Sequence, residues 1–132
     1  MSRGPGPPLP GGSLEYAVLV ALWELGTASA REIHARVGAP DGLVYTTTAK
    51  VLDRLHAKGL VGRARAGKAF VYRPAVEREV LERARARDTL GRILGPDPVP
   101  ALATLVDAVE SLDPELLDEL ARVVAARRKG RP

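Results

Sequence analysis

The chain has 132 residues, of which 45% are hydrophobic and only 4% aromatic. This length suits one compact domain with an appended element. Because the hydrophobic residues include few aromatic ones, the composition favours helices over strands. The absence of cysteine excludes disulfides and thiolate metal sites, and no apolar stretch approaches the ~18 residues that span a membrane. We therefore expect a cytoplasmic protein without membrane insertion.

The positive charge is concentrated in the middle of the sequence. The net charge is +4, yet the stretch from Gly42 to Pro74 contains seven lysines and arginines and a single acidic residue, Asp53. The rest of the chain is therefore slightly acidic. A local basic patch is typical of a surface that binds a polyanion such as DNA, although an ordinary solvated face has the same composition.

The first elements follow a Gly- and Pro-rich segment, residues 1–12, which we expect to be a flexible tail. Apolar residues at spacings of three and four predict a helix from Ser13, as its N-cap, to about Leu25. Ser29 and Glu32 are spaced as a capping box and predict a short second helix.

A third helix and a hairpin complete the N-terminal half. The third helix is expected from about residue 46 to 58, ending before Gly59. The runs 60–65 and 68–73, which flank Ala66 and Gly67, predict a β-hairpin. Three helices followed by a hairpin indicate a winged helix-turn-helix domain over residues 13–74. The predicted fold is thus mainly α with a small β-hairpin wing.

The remaining segment, residues 75–132, is predicted to form helices that are too apolar and too short to bury themselves fully in one chain. We expect a helical dimerisation region, since helix-turn-helix proteins need two copies to contact two half-sites. The alternative is that these helices fold back onto the winged domain. The candidate dimer residues are Leu90, Ile93, Leu94, Leu102, Leu105, Val106, Leu116, Leu117, Leu120 and Val124.

The third helix carries the residues expected to contact DNA, in the major groove, while the wing, residues 60–73, contacts the backbone. Short threonine side chains near a helix start allow close approach to bases, and threonine bonds base edges and contacts the thymine methyl. Lysine and arginine suit guanine or phosphate. The candidates are Tyr45, Thr46, Thr47, Thr48, Lys50, Arg54, Arg63, Arg65 and Lys68. Each of these residues also has a simpler explanation. The three threonines could only cap the helix, the arginines of the wing could only be solvated, and Tyr45 could pack on the core.

Signals for catalysis are poor. His34 and His56 are the only histidines, and neither has a serine, cysteine or paired carboxylate at a diagnostic spacing. The sequence contains no phosphate-binding glycine loop and no cluster of metal ligands. We expect neither an enzyme nor a bound cofactor or metal.

Six short segments carry a further signal. They are Leu19–Leu25 and Ser29–Glu32 in the first two helices, then Leu43–Thr48, Val51–Leu55, Lys58–Val61 and Phe70–Pro74. Together they closely resemble the penicillinase repressor family of the BlaI, MecI and CopY type. The resemblance covers roughly residues 14–74, and only the helical dimerisation pattern agrees in the C-terminal third.

The resemblance implies a homodimeric winged-helix repressor on a dyad-symmetric operator of double-stranded DNA. Family operators contain elements such as TACA and TGTA, whose thymines would suit Thr46, Thr47 and Thr48. A membrane sensor-protease is the inducing partner that the resemblance suggests.

Two features of this sequence depart from the family pattern. Copper-responsive members carry a C-terminal cysteine motif, and this chain has no cysteine. Members that respond to β-lactams are cleaved at an Asn-Phe bond, but this chain has no asparagine and its only phenylalanine is Phe70 in the wing. Copper sensing is therefore not expected, and induction by that cleavage is in question. Either the protease cuts another bond, or the inducer differs.

Two other functions stay open from the sequence. One is a winged-helix regulator that senses a small ligand directly, in a pocket among Leu105, Val109 and the last helix. The other is a winged helix used only to bind proteins, although the basic stretch from Gly42 to Pro74 argues against it.

Overall fold

Helices dominate the computed structural model, which describes residues 8–131. The elements are α1 (Ser13–Leu25), β1 (Ala28–Ser29), α2 (Ala30–Ile33), α3 (Tyr45–Ala57), β2 (Val61–Ala66), β3 (Ala69–Pro74), α4 (Arg78–Leu94), α5 (Pro98–Leu112) and α6 (Pro114–Lys129). A π-helical turn, His34–Gly38, and a 3-10 turn, Ala39–Asp41, continue α2. The predicted mainly α fold with a hairpin wing is confirmed. Most of the predicted tail, residues 1–12, lies outside the described residues.

The chain divides into two compact units, one ending at Ala86 and the other beginning at Arg87. The first unit contains the winged domain and continues into α4, because Leu81 is buried among the side chains of that domain. The division at residue 74 between a DNA-binding and a dimerising part stays a prediction. None of the helices in the described part of the chain is long and apolar enough to cross a bilayer.

The hydrophobic core of the first unit draws side chains from helices and strands that are distant in sequence. Its members are buried almost completely, so each contributes on the order of 1.5–3 kcal/mol relative to exposure. They include Leu19 and Leu22 of α1, Ile33 of α2, Leu52 and Leu55 of α3, Val61 of β2 and Tyr72 of β3.

The three strands form one antiparallel sheet in the order β1-β3-β2. In the hairpin, Arg63 lies opposite Tyr72 and Arg65 lies opposite Phe70, so these four side chains share one face. Gly67 has a φ of 65° at the turn, a conformation that glycine adopts without steric cost. Strand β1 has two residues and was not predicted, since so short a segment shows no periodicity.

The start of α2 agrees with the sequence, whereas α1 and α3 begin one residue away from the predicted positions. The capping box is present, with the Ser29 hydroxyl accepting from the Glu32 amide and the Glu32 carboxylate accepting from the Ser29 amide. Ser13, predicted as an N-cap, is instead the first residue of α1, and Gly12 is the N-cap without a side-chain hydrogen bond. Helix α3 begins at Tyr45, one residue earlier than expected.

Gly38 allows the helical segment after α2 to approach α3 closely. A Cβ added at Gly38 would collide with Thr48 Oγ1 and lie 2.5 Å from His34 Nδ1. These two atoms share a hydrogen bond of 2.8 Å, so moving either of them aside would break that hydrogen bond. The backbone of Gly38 is ordinary helix, with φ −73°, and the constraint is therefore space rather than conformation.

We expect Gly38→Ala to destabilise the protein by ~1–3 kcal/mol, because the added methyl group overpacks a buried contact. Gly91→Ala is the matched control, since Gly91 lies in α4 with nothing within 4 Å of its added Cβ and alanine is the better helix former. Urea denaturation of both variants at one protein concentration measures the difference. A Gly38→Ala midpoint at or above that of the unsubstituted protein would contradict the close approach.

Candidate nucleic-acid interface

Helix α3 presents one narrow strip of side chains to solvent. Val51, Leu52 and Leu55 are fully buried on its inner face and hold the helix on the domain. The opposite side carries Thr46 and Lys50, which are exposed and lie one turn apart. Such a strip has the length and polarity that a helix needs to reach base edges in a major groove.

The structure distributes the three adjacent threonines over different faces. Thr46 is exposed, Thr47 is half-buried at the edge of the strip, and Thr48 is fully buried. The Thr48 hydroxyl bonds His34 Nδ1, so it satisfies a polar group inside the domain. This corrects the assignment of Thr48 as a DNA-contacting residue, because its side chain has no exposed surface.

A buried carboxylate joins α1 to the C-terminal half of α3. Glu15 is buried, and its carboxylate accepts a hydrogen bond of 2.8 Å from Lys58 Nζ. Arg54 Nε lies 3.9 Å from the other oxygen of the same carboxylate, although the Arg54 side chain is mostly exposed. Lys58 and, more weakly, Arg54 are thus paired within the domain.

The pKa of Glu15 is lowered below its ordinary value of 4.5. Burial by itself would raise this pKa, because it removes the carboxylate from water. The hydrogen bonds from the Lys58 side chain and the Gly11 backbone, together with the charges of Lys58 and Arg54, outweigh burial. The carboxylate is therefore ionised at neutral pH and holds α3 against α1.

A second ion pair fastens the wing to α3. Arg63 Nη1 donates to Asp53 Oδ1 at 3.1 Å, and the guanidinium carbon of Arg63 lies 4.4 Å from the centre of the Phe70 ring. The Arg65 guanidinium lies 5.3 Å from the same ring. Asp53 of α3 thus accepts a hydrogen bond from one nitrogen of the Arg63 guanidinium, whereas Arg65 lies nearer the hairpin turn and forms no ion pair in the described residues.

The predicted basic patch therefore separates into paired and unpaired cations. Within residues 8–131, Arg54, Lys58 and Arg63 lie within 4.0 Å of a carboxylate. The other cations of the stretch have no such ion pair in the described part of the chain. They are Lys50, Arg65, Lys68 and Arg73. These unpaired charges are the ones that retain their full attraction for a phosphate backbone.

Tyr45 lies at the start of α3 and is partly exposed. Its ring meets the His34 ring edge to face at 5.7 Å between centres, and the Arg31 guanidinium lies 5.2 Å above the Tyr45 ring. Arg31 is a further cation beside α3, and it lies in α2, outside the basic stretch from Gly42 to Pro74. Its proximity to Tyr45 has no local signal in the sequence.

The predicted dimer residues lie in the second unit and none of them is fully buried. Helices α5 and α6 pack against each other, and neither has a single buried residue. Leu94, Leu105, Leu117 and Leu120 are half-buried. The exposed ones are Leu90, Ile93, Leu102, Val106, Leu116 and Val124. The unit therefore leaves a large apolar surface without cover in the single chain.

Comparison with known sequences identifies relatives over almost the whole chain. The family model for the penicillinase repressor matches residues 11–126. The transcriptional regulator BlaI of Mycobacterium tuberculosis, strains CDC 1551 and H37Rv, is 33% identical over 120 residues. That alignment covers 90% of this chain and 86% of the mycobacterial protein.

Solved structures of transcriptional regulators are also similar. The solution structure of the DNA-binding domain of the repressor BlaI has a TM-score of 0.49 at 23% identity, over 55% of this chain and 90% of that domain. The PcaV regulator from Streptomyces coelicolor, in complex with its natural ligand, has a TM-score of 0.47 at 27% identity. It matches 78% of this chain and 74% of its own.

We expect Glu15→Gln to lower stability at pH 7 by about 1–2 kcal/mol, since a charged hydrogen bond at a buried site is lost. Because the folded pKa of Glu15 is lowered, its contribution is fully present above the ordinary value of 4.5 and is lost as the pH falls through the folded pKa. The difference between the two proteins should therefore shrink below about pH 4.5.

The control is Glu24→Gln, which removes the exposed ion pair of Glu24 with Arg36 and should change stability by less than ~0.5 kcal/mol. Urea denaturation from pH 7 to pH 3 measures all three proteins. A difference between Glu15→Gln and the unsubstituted protein that is as large at pH 3 as at pH 7 would contradict the proposed origin of the stabilisation.

Proposed function

The chain belongs to the penicillinase repressor family, and from this premise we propose that it represses transcription as a homodimer on a dyad-symmetric operator. It is a BlaI-like transcriptional repressor with a winged-helix fold and is not an enzyme. The symmetric operator, the dimer and the mode of DNA contact are the proposed parts. Such a protein would act in the cytoplasm, where operator DNA lies.

One observation carries the proposed mode of binding: the exposed strip of α3 lies on a helix to which the wing is fastened. We place Thr46 and Lys50 against base edges in the major groove, with Tyr45, Thr47 and Arg54 at the margins of the strip. Arg65 and Lys68, which have no ion pair in the described residues, would contact the neighbouring backbone.

Arg63 has a different role in this proposal from that of the other wing cations. Its guanidinium is engaged by Asp53 and by the Phe70 ring. It therefore acts as a positioning residue, since it sets the angle between the wing and α3. Base contacts and backbone contacts must be made at the same time, and a fixed angle reduces the ordering cost of doing so.

Two copies of the second unit would cover the apolar surface of α5 and α6. An apolar groove of about 410 Å³ runs along α6 and is lined by Leu117, Leu120 and Val124 among others. In the proposed dimer, side chains from α6 of a second copy would pack into this groove and the reverse, which is the arrangement of a two-fold interface. A dimer of this kind presents two winged domains to two half-sites.

The inducing signal is not carried over from the family. The chain has no asparagine, so the Asn-Phe bond at which a membrane sensor-protease inactivates β-lactam-responsive members is absent. We therefore propose the operator function without assigning its inducer: either a membrane sensor-protease cuts another bond, or the inducing signal differs.

Selection of genomic DNA fragments by the purified protein at near-physiological salt tests the proposal. We expect enrichment of a dyad whose half-sites lie about one helical turn or more apart. Recovery of no motif, with binding that is weak or absent, would overturn the operator function and favour a winged helix that binds proteins.

The proposed dimer predicts that Val124→Lys dissociates the protein. Lysine is a better helix former than valine, so the substitution does not disturb α6 itself. Burial of two unpaired cations at a two-fold interface should weaken dimerisation by ~100-fold or more.

Val80→Lys is the matched control, because Val80 in α4 is 47% exposed and Val124 is 45% exposed. Sedimentation over a range of protein concentrations gives the dimer dissociation constant of each variant. Equal constants for Val124→Lys and the unsubstituted protein would exclude this surface as the interface.

A further inference from the structure

A cavity of about 340 Å³ lies between α2, α3 and β3, within the first unit. It is lined by Ser29 and Arg31 at the start of α2, Tyr45 and Ala49 of α3, and Lys68 and Phe70 at the hairpin, among others. The small side chain of Ala49 lies one turn after Tyr45, on the side of α3 that faces the hairpin. The cavity therefore borders the strip that we place in the major groove.

The charges that line the cavity are all positive. Arg31 and Lys68 contribute two cations from different elements, and no carboxylate is among the lining residues. Glu32 follows Arg31, but its carboxylate accepts the Ser29 backbone N–H at 3.0 Å as part of the capping box. Neither Arg31 nor Lys68 forms an ion pair in residues 8–131, in contrast to Arg54 and Arg63.

The Arg31 guanidinium is held in place by an aromatic surface rather than by a carboxylate. It lies 5.2 Å from the centre of the Tyr45 ring, and that ring packs against the His34 ring in a T-shaped arrangement. A ring face attracts a cation without neutralising its charge. Arg31 is therefore partly ordered before any ligand arrives, and its donors remain available to an anion.

We infer that Arg31, which lies outside the basic stretch from Gly42 to Pro74, forms together with Lys68 a seat for a phosphate of the DNA backbone. This inference rests on the proposed function, because base edges that meet Thr46 and Lys50 bring the flanking backbone towards the neighbouring surface of α3. The phosphate lies between the start of α2 and the hairpin turn. Arginine suits it because the planar guanidinium donates two parallel hydrogen bonds to phosphate oxygens.

The test uses the full chain and a fluorescent duplex that carries the motif recovered by genomic selection. Binding constants are measured over a series of salt concentrations for the unsubstituted protein, Arg31→Ala and Arg36→Ala. Arg36 is the matched control, since it lies in the π-helical turn after α2 and is already paired with Glu24 at 3.1 Å. Ethylation interference on the same duplex identifies which phosphates matter.

We expect Arg31→Ala to weaken binding and to lower the slope of log K against log salt by roughly 1.8, that is ~0.9 for each of two copies in a dimer. The preferred base sequence should not change, because a phosphate contact carries no sequence information. For Arg31→Ala, ethylation of one phosphate in each half-site should no longer weaken binding, whereas it does so for the unsubstituted protein. Arg36→Ala should leave the slope and the interference pattern unchanged.

Three results would overturn the phosphate seat alone. They are an unchanged slope for Arg31→Ala, an equal fall for Arg31→Ala and Arg36→Ala, and binding of inorganic phosphate at Arg31 with unchanged DNA binding. A protein that binds no selected duplex at all would instead overturn the proposed function, and the phosphate seat with it.

Discussion

The close approach of α3 to the helical segment after α2 is the constraint on which the rest of the first unit depends. It is possible because Gly38 has no side chain where Thr48 Oγ1 and His34 Nδ1 meet. That contact and the buried side chains of Val51, Leu52 and Leu55 together set the rotation of α3 about its axis. With Thr48 turned inwards, Thr46 and Lys50 must face solvent, since successive residues of a helix are 100° apart. The buried side of α3 thus determines which residues form the exposed strip that we propose to face DNA.

Cations of the same type perform different tasks in the winged domain because their neighbours differ. Lys58 is paired with a buried carboxylate and joins two helices, and Arg63 is paired with Asp53 and joins the wing to α3. Lys68 has no carboxylate partner in the described residues, and Arg31 rests on a tyrosine ring. Paired cations stabilise the frame, whereas unpaired cations keep an electrostatic field that attracts DNA. Net charge alone does not separate these roles.

The two units of the chain meet the demand for apolar burial in different ways. The first buries a complete core, which includes Leu81 of α4. The second has helices α5 and α6 in contact but buries no residue of either helix fully. The surface around Leu102 and Val124 stays exposed in the single chain. In the proposed dimer a second copy of the chain would cover it, so the same apolar side chains would link dimerisation to recognition of a symmetric operator.

The sequence by itself determined the elements whose signals are local. The apolar periodicity of α3, the capping box at Ser29 and Glu32, and the glycine turn of the wing each lie within a few residues. Only the tertiary structure decided which polar groups are free. The partners of Glu15 and Arg63 come from other segments of the chain, and Arg31 lies beside Tyr45 only because α2 packs beside α3. Residues that pair over such long separations in the sequence produce no periodic pattern, so a single sequence does not reveal the pairs.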